Sequence, residues 1–385
     1  MHTAESALAA ARGLVPGFAA RAADHDRDSS FPFENFAALQ HARLLALSIP
    51  ARLGGDALDL RTICTIVEEV GSACASTGLV LGMQYLQFAR LCANANVAPA
   101  VLEMMCRGAI EEGGLLNTMR VEPELGTPTR GGLPGTTAVR TPSGWRLSGH
   151  KIYATGAPGL AYFVPWAKTD EDPVRVGWFL VPARTPGMRI ERTWDQLGMR
   201  ATGTDDLFLE GAEIPFEYAL DVREPAAWKA GPDDPWWISL VLGSLYYGIA
   251  KAGRDWLLRY LHERQPTNLG ASLATLPRFQ TAVGRIEALL LECGTMLWTA
   301  IESFDSGARA FTPAQLNHVK YVVTNNGIEA LHLALGLVGN PGLMRQNPLE
   351  RHYRDIRCGR IHTPQDDTIL LEWGKAALVE AAPSP

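Results

Sequence analysis

The residues with the widest chemical range in this 385-residue chain are six cysteines and nine histidines, and their spacing serves neither metal binding nor nucleophilic attack. Cys64, Cys74, Cys92, Cys106, Cys293 and Cys358 form no C-x-x-C pair, and most lie in apolar helical stretches. They read as reduced core residues, and no metal site is expected. The histidines are scattered, so a lone one such as His41 or His332 is better explained by a structural hydrogen bond. The chain carries no G-x-G-x-x-G after a strand, no phosphate-cradling G-x-x-x-x-G-K-[ST], no G-x-S-x-G and no H-E-x-x-H. Asp366-Asp367 stand where first-turn acids would cap a final helix over 368–381. Glu263-Arg264 reads on its own as part of a surface ion pair. Trp236, Trp237, Tyr246 and Tyr247 recur at helical spacing, where rings line a core more often than a pocket.

The elements that must position these residues change character twice along the chain. Apolar spacing predicts helices over 6–23, 33–44, 60–75, 78–95 and 98–107, the last with Pro99 in its first turn. From 113 to about 222, Gly/Pro/Thr punctuation separates short alternating runs at 145–149, 162–169, 176–183 and 206–214. These are half-buried strands of a small β-barrel or sandwich. Long apolar helices follow over 236–263, 278–307 and 313–337, apolar over so much of their surface that they must pack on other helices. The fold class is α+β multidomain: an N-terminal all-α domain (1–112), a middle β domain (113–222) and a C-terminal helical domain (223–385). Apolar residues make up 47% and charged residues 20%, as in an ordinary globular protein, and the net charge of −6 argues against nucleic acid as a partner. No secretory signal pattern and no bilayer-length apolar run is present, so a cytoplasmic protein without membrane association is expected.

Local phrases in this order carry a family resemblance. They are Pro50-Ala51-Arg52-Leu53-Gly54-Gly55, Gly149-His150-Lys151-Ile152-Tyr153-Ala154-Thr155-Gly156 and Leu197-Gly198-Met199-Arg200-Ala201-Thr202-Gly203-Thr204. Glu263-Arg264 with Phe279-Gln280, and Pro348-Leu349-Glu350-Arg351 with Arg354-Asp355, complete the set. Over residues 31–378 the chain resembles the acyl-CoA dehydrogenase superfamily of flavoenzymes, which implies a C-terminal four-helix bundle and FAD as cofactor, with FMN as the alternative. By that resemblance Tyr153 stacks near the isoalloxazine and Thr155 donates to it. Glu124, Gly126 and Thr129 match a loop that touches flavin and substrate. Arg264 reaches the pyrophosphate of a flavin held mainly by a neighbouring subunit, with Gln280 nearby, because a guanidinium fork pairs with phosphate oxygens. Gly339 belongs to a glycine-rich turn against the adenosine half, or equally to a helix end. A homodimer or homotetramer follows from the role given to Arg264.

The base that dehydrogenation needs is missing from both of its usual places. Removal of the α-proton of an acyl thioester requires a carboxylate in a dry site. The resemblance puts Thr363 at the C-terminal glutamate position and Ile238 at the alternative one. Treating Thr363-Pro364-Gln365 as an insertion makes Asp366 the base. The tail, Asn347-Pro348-Leu349-Glu350-Arg351-His352-Tyr353-Arg354-Asp355 and then His362-x-x-x-Asp366, is similar to the monooxygenase branch of the superfamily. That branch takes reduced flavin from a separate reductase and forms a C4a-(hydro)peroxyflavin. It implies a water-poor cavity lined by Trp236, Trp237 and Tyr246, with His362 and Asp366 as its polar, catalytic pair, and a small heteroatom-containing or aromatic substrate. The alternative is an acyl-CoA or acyl-carrier-protein dehydrogenase with Asp366 as base and an electron-transfer flavoprotein as acceptor.

Overall fold

A capping box starts the chain: the Thr3 side chain accepts from the Ser6 N–H while the Ser6 hydroxyl accepts from the Thr3 N–H. It fixes helix α1 (Ala4–Asp28), which buries Ala7, Ala11, Phe18 and Ala22 on one face. The computed structural model describes residues 1–125, 132–229 and 231–380. The N-terminal lobe continues with α2 (Phe33–His41), α3 (Leu60–Ala73), α4 (Ala75–Ala93) and α5 (Pro99–Glu111). Asp59 caps α3 by accepting from Thr62 N at 2.8 Å.

The middle lobe contains β1 (Leu115–Met119), β2 (Thr137–Arg140), β3 (Gly144–Ala154), β4 (Leu160–Thr169), β5 (Val176–Phe179), β6 (Val181–Pro182), β7 (Met188–Glu191), β8 (Asp205–Pro215) and β9 (Ala219–Arg223). They pair in the order β7-β8-β3-β2-β4-β5-β9, with β1 and β6 also on β4. β4 is the strand that switches layers. Its first half pairs with β1 and β6, and its second half with β2 and β5. A strand shared in this way makes the corner of a sandwich.

The C-terminal lobe contains α6 (Asp234–Glu263), α7 (Pro277–Asp305), α8 (Pro313–Val338), the short α9 (Asn340–Leu343), α10 (Leu349–Arg357) and α11 (Asp366–Glu380). α6, α7 and α8 pack on one another and α11 lies on α8, which gives the four helices of the bundle. α3 crosses α6 so closely that a Cβ on Gly248 would sit 2.3 Å from the Glu68 carbonyl oxygen. Beside this crossing Lys251 donates to Glu68 at 2.5 Å.

Two differences from the sequence expectation have physical causes. β1 was not anticipated because it lies in a parallel pair and is buried on both faces, so Leu115-Leu116-Asn117-Thr118-Met119 shows no alternation. The run expected as one strand over 176–183 is two, since β5 pairs with β9 and the second half of β4 while β6 pairs with the first half of β4.

A buried ion pair fastens β3 to the chain leaving β1. Lys151 is fully buried in mid-strand, and its ammonium donates to Glu122 Oε1 at 2.5 Å. Glu122 also accepts from Gly135 N, Thr136 N and the Thr136 hydroxyl. Burial alone would raise the Glu122 carboxyl, but the Lys151 and Thr136 donors outweigh it and hold the group below its ordinary value. Burial draws Lys151 down to about 8, so both partners are charged at neutral pH. Lys151→Met, which leaves the carboxylate buried without its counter-charge, is expected to lower stability by about 3 kcal/mol in urea titrations at pH 7. A loss under about 1 kcal/mol, within the range of exposed pairs, would contradict the structural role given to the pair.

Candidate active site

β3 does not end as a regular strand. Its pairing with β8 slips between Lys151 and Ala154, and Tyr153 takes φ +63° with its ring more than half exposed. A bulky residue at positive φ is strained, and such strain persists where the surroundings enforce it. Here they do. Asn117 of β1 donates to the Thr155 carbonyl at 3.0 Å, and Gly156 N donates to the Thr202 carbonyl at 2.9 Å. The Thr204 hydroxyl donates to Thr155 Oγ1 at 3.2 Å, which leaves the Thr155 hydroxyl proton free to donate outward.

The segment facing this edge is the turn before β8. Asp205 accepts from Thr193 N and Trp194 N, both at 3.0 Å, and the Trp194 indole donates to the Met199 carbonyl at 2.8 Å. Trp194 meets the Tyr153 ring edge-on, with centroids 6.4 Å apart. Two aromatic rings and a free hydroxyl donor thus share one strand edge. This suits a flat heteroaromatic group with acceptor atoms on its rim, as a flavin has.

The same turn is held from the other side by α10. Asp355, 4% exposed, accepts from Met199 N at 2.7 Å. Burial raises the Asp355 carboxyl to about 6 despite that donor. Arg354 grips Asp26 of α1 with two bonds, at 2.6 and 3.0 Å, and also donates to the Leu197 carbonyl and to Glu350. Gly198 lies flat on α10, since a Cβ there would meet the Arg354 carbonyl oxygen at 2.4 Å.

Beyond α10 the chain folds back over α6 and α8. His362 is half-buried, and its Nδ1 lies 2.5 Å from the hydroxyl of the fully buried Tyr246. Burial, with Lys320 as the nearby charge, lowers His362 to about 4, so the imidazole is neutral at physiological pH. Burial raises Tyr246 well above its ordinary value, which keeps it a phenol. Lys320, fully buried, donates to the carbonyls of both His362 and Pro364 at 2.8 Å and pins this segment. Asp366 opens α11; its Oδ2 accepts from Asn325 at 2.8 Å with Arg360 3.8 Å away. Its Oδ1 is buried without a hydrogen-bond partner among the described residues.

The expected site residues therefore fall into groups. Tyr153 and Thr155 share one edge, while Tyr246, His362 and Asp366 share the α6–α8 surface. Trp236 and Trp237 do not join Tyr246 in a common wall. They stand ten and nine positions earlier on α6, about 14 Å along the axis, and pack on Phe304, Trp236 also on Phe311. Trp236 is a core residue. Glu124 is exposed, and the buried acid of that segment is Glu122, two residues earlier. Gly126 and Thr129 lie outside the described residues. Arg264 follows α6, exposed and without a side-chain partner among the described residues, while Gln280 donates to the Ala274 carbonyl. Gly339 ends α8 at φ +65°, ψ −137°, a conformation reserved for glycine, so the helix-end reading describes it. Sequence reasoning missed Lys320, Lys151 and Asn117. The signal for the first two was available, since each is a lysine on an otherwise inward-facing position of an apolar element.

Three lobes, helical, sheet and helical, meeting at an aromatic and hydroxyl edge define the architecture of a flavin-dependent oxidoreductase. Residues 4–109, 118–212 and 240–368 match the N-terminal, middle and C-terminal domain models of acyl-CoA dehydrogenase. The chain belongs to the acyl-CoA dehydrogenase family. It is 31% identical to a putative acyl-CoA dehydrogenase, YdbM, of Bacillus subtilis (strain 168), over 93% of this chain and 92% of that one. It is 27% identical to L-evernosamine nitrososynthase of a Micromonospora strain, over 91% and 85%. The solved structure of KijD3 in complex with FMN and a dTDP-linked 3-amino-4-keto sugar superposes with a TM-score of 0.83 at 26% identity, covering 99% and 95% of the two chains.

The Asp355 site has a pH signature. Its folded-state value, about 6, lies above the ordinary value of 3.8, so its contribution to stability is full below pH 4 and is lost as pH rises through 6. Compared with Asp355→Asn, whose amide oxygen still accepts from Met199 N, the wild type is expected to lose about 2 kcal/mol between pH 4 and pH 6. Urea midpoints of the two proteins measured across that range test this, and parallel profiles would contradict it.

Proposed function

We propose that this chain is a reductase-fed flavin monooxygenase acting on a small organic substrate, with FAD as cofactor and FMN as the alternative. One observation carries the reading. Where a dehydrogenase needs a carboxylate base, the chain presents a neutral His362 paired to Tyr246, with exposed Thr363 and half-buried Ile238 at the two base positions. The 27% identical nitrososynthase, named for making a nitroso group, and the FMN in the KijD3 structure support the same reading.

The bound reduced flavin supplies the electrons and the reaction with dioxygen. The chain's own residues then have three tasks. Tyr153 and Trp194 present ring faces and Thr155 a hydroxyl donor to the cofactor edge. In the tautomer where Tyr246 donates to His362 Nδ1, the imidazole proton sits on Nε2 as a donor toward the reacting oxygen atoms. Lys320 fixes the carbonyls on either side of Thr363 and so holds that imidazole in place. Exposed Arg264, without a side-chain partner among the described residues, and the 71% exposed Leu291 on α7 support assembly as a homodimer or homotetramer, with Arg264 reaching the flavin phosphates of a neighbour.

A second reading, acyl-CoA or acyl-carrier-protein dehydrogenation with Asp366 as base and an electron-transfer flavoprotein as acceptor, is favoured by the buried Asp366 Oδ1, which has no hydrogen-bond partner among the described residues. The similarity to YdbM points the same way. The two are separated by adding saturated acyl-CoA thioesters of increasing chain length, without oxygen, to the oxidised flavin-loaded protein. We expect no bleaching of the flavin by any of them. Bleaching with an enoyl product, abolished by Asp366→Asn, would overturn the monooxygenase reading in favour of the dehydrogenase.

A further inference from the structure

β1 runs on into a cation with no counter-ion among the described residues. Arg120 follows Met119 directly, and its neighbour Val121 accepts the N–H of Ile152, the residue before Tyr153. Its guanidinium lies over the Trp166 ring, 4.9 Å from the centroid, and although the residue reaches solvent its charged end is partly desolvated. Two other cations act on the same spot: Arg90 of α4 lowers Arg120, and Arg120 in turn lowers Lys151, each after the larger effect of burial.

The acids nearby are already committed. Arg90 holds Asp234, in the first turn of α6, with two bonds at 3.0 and 2.9 Å. Glu122 is taken by Lys151 and Thr136. Arg120 has no carboxylate within ion-pair range among the described residues, so one positive charge remains uncompensated where α4, the start of α6 and the β3 edge meet. The contrast with another arginine-rich face is direct. A groove of about 670 Å³ beside Trp145 and Phe216 is lined by Arg140, Arg175 and Arg223, and there every guanidinium is paired to Glu171 or Asp221. A cation resting on a ring face is only weakly stabilised, and neighbouring like charges oppose it. Arg120 is a poor structural residue and a well-placed ligand for an anion.

We infer that Arg120 is a specificity-determining residue that binds an anionic group, carboxylate or phosphate, on the substrate as it enters between β1, α4 and α6. The inference rests on the reading of the Tyr153–Thr155 edge as the cofactor side of the substrate cleft. The guanidinium's planar fork meets two oxygens of either group at once, whereas an amide or hydroxyl of the same size satisfies only part of it.

Calorimetric titration of the flavin-loaded protein with benzoate, phenyl phosphate and benzamide tests it. The wild type should bind at least one of the two anions about ten-fold more tightly than benzamide, the difference expected for a charge-assisted pair over a neutral one. The tighter of the two names the source of the anion. Arg120→Gln should abolish that preference while leaving benzamide binding and the thermal unfolding midpoint unchanged, and Arg120→Lys should restore it in part. An anion preference that survives in Arg120→Gln, or none in the wild type, would overturn the inference. Because neither oxygen nor turnover enters this titration, its failure leaves the monooxygenase reading standing, and acyl-CoA bleaching would leave the anion site standing.

Discussion

The Arg354–Asp355 pair is the constraint on which the rest of the molecule depends. From one turn of α10 it holds all three lobes, through Asp26 of α1, the Leu197 carbonyl and Met199 N of the middle lobe, and Glu350 of its own helix. Neither residue is there for packing. A buried aspartate raised to about 6 is unfavourable at neutral pH, and its retention makes sense only if the position of Met199 matters more.

Met199 matters because both halves of the site hang from it. On one side its carbonyl receives the Trp194 indole and the Thr202 hydroxyl, and Trp194 sets the ring that faces Tyr153. On the other, the helix that grips its N–H runs directly into the 358–366 segment, pinned by Lys320, where His362 meets Tyr246. The strained backbone of Tyr153 and the neutral His362 are thus two ends of one rigid chain of contacts. The aromatic and hydroxyl edge on the sheet, proposed for the cofactor, and the polar pair on the bundle are kept in register without a covalent link.

Much of this was legible in the sequence. The alternation of helix, strand and helix followed from periodicity, and the Gly149–Gly156 and Leu197–Thr204 phrases marked the two segments that face each other. The limits were equally physical. Helical spacing alone cannot tell whether Trp236 faces a pocket or Phe304, because both are apolar environments. β1 hides because burial on both faces erases alternation. Glu124 was named from the loop match alone, and nothing local shows that Lys151 points at Glu122, 29 positions before it. Partners distant in sequence leave no local trace unless, as with Lys320 in an apolar helix, the residue violates its own surroundings.

The central claim is that this arrangement keeps the family's fold but replaces its carboxylate base with the Tyr246–His362 pair, turning the site toward oxygen. The most direct measurement is rapid mixing of the protein, loaded with reduced FAD or FMN, with oxygen-saturated buffer in the absence of substrate. The account predicts a return of oxidised-flavin absorbance in two phases, much slower overall than for the free reduced flavin. In His362→Ala it predicts a single fast phase. A wild-type trace that already follows one fast exponential, unchanged in His362→Ala, would contradict it.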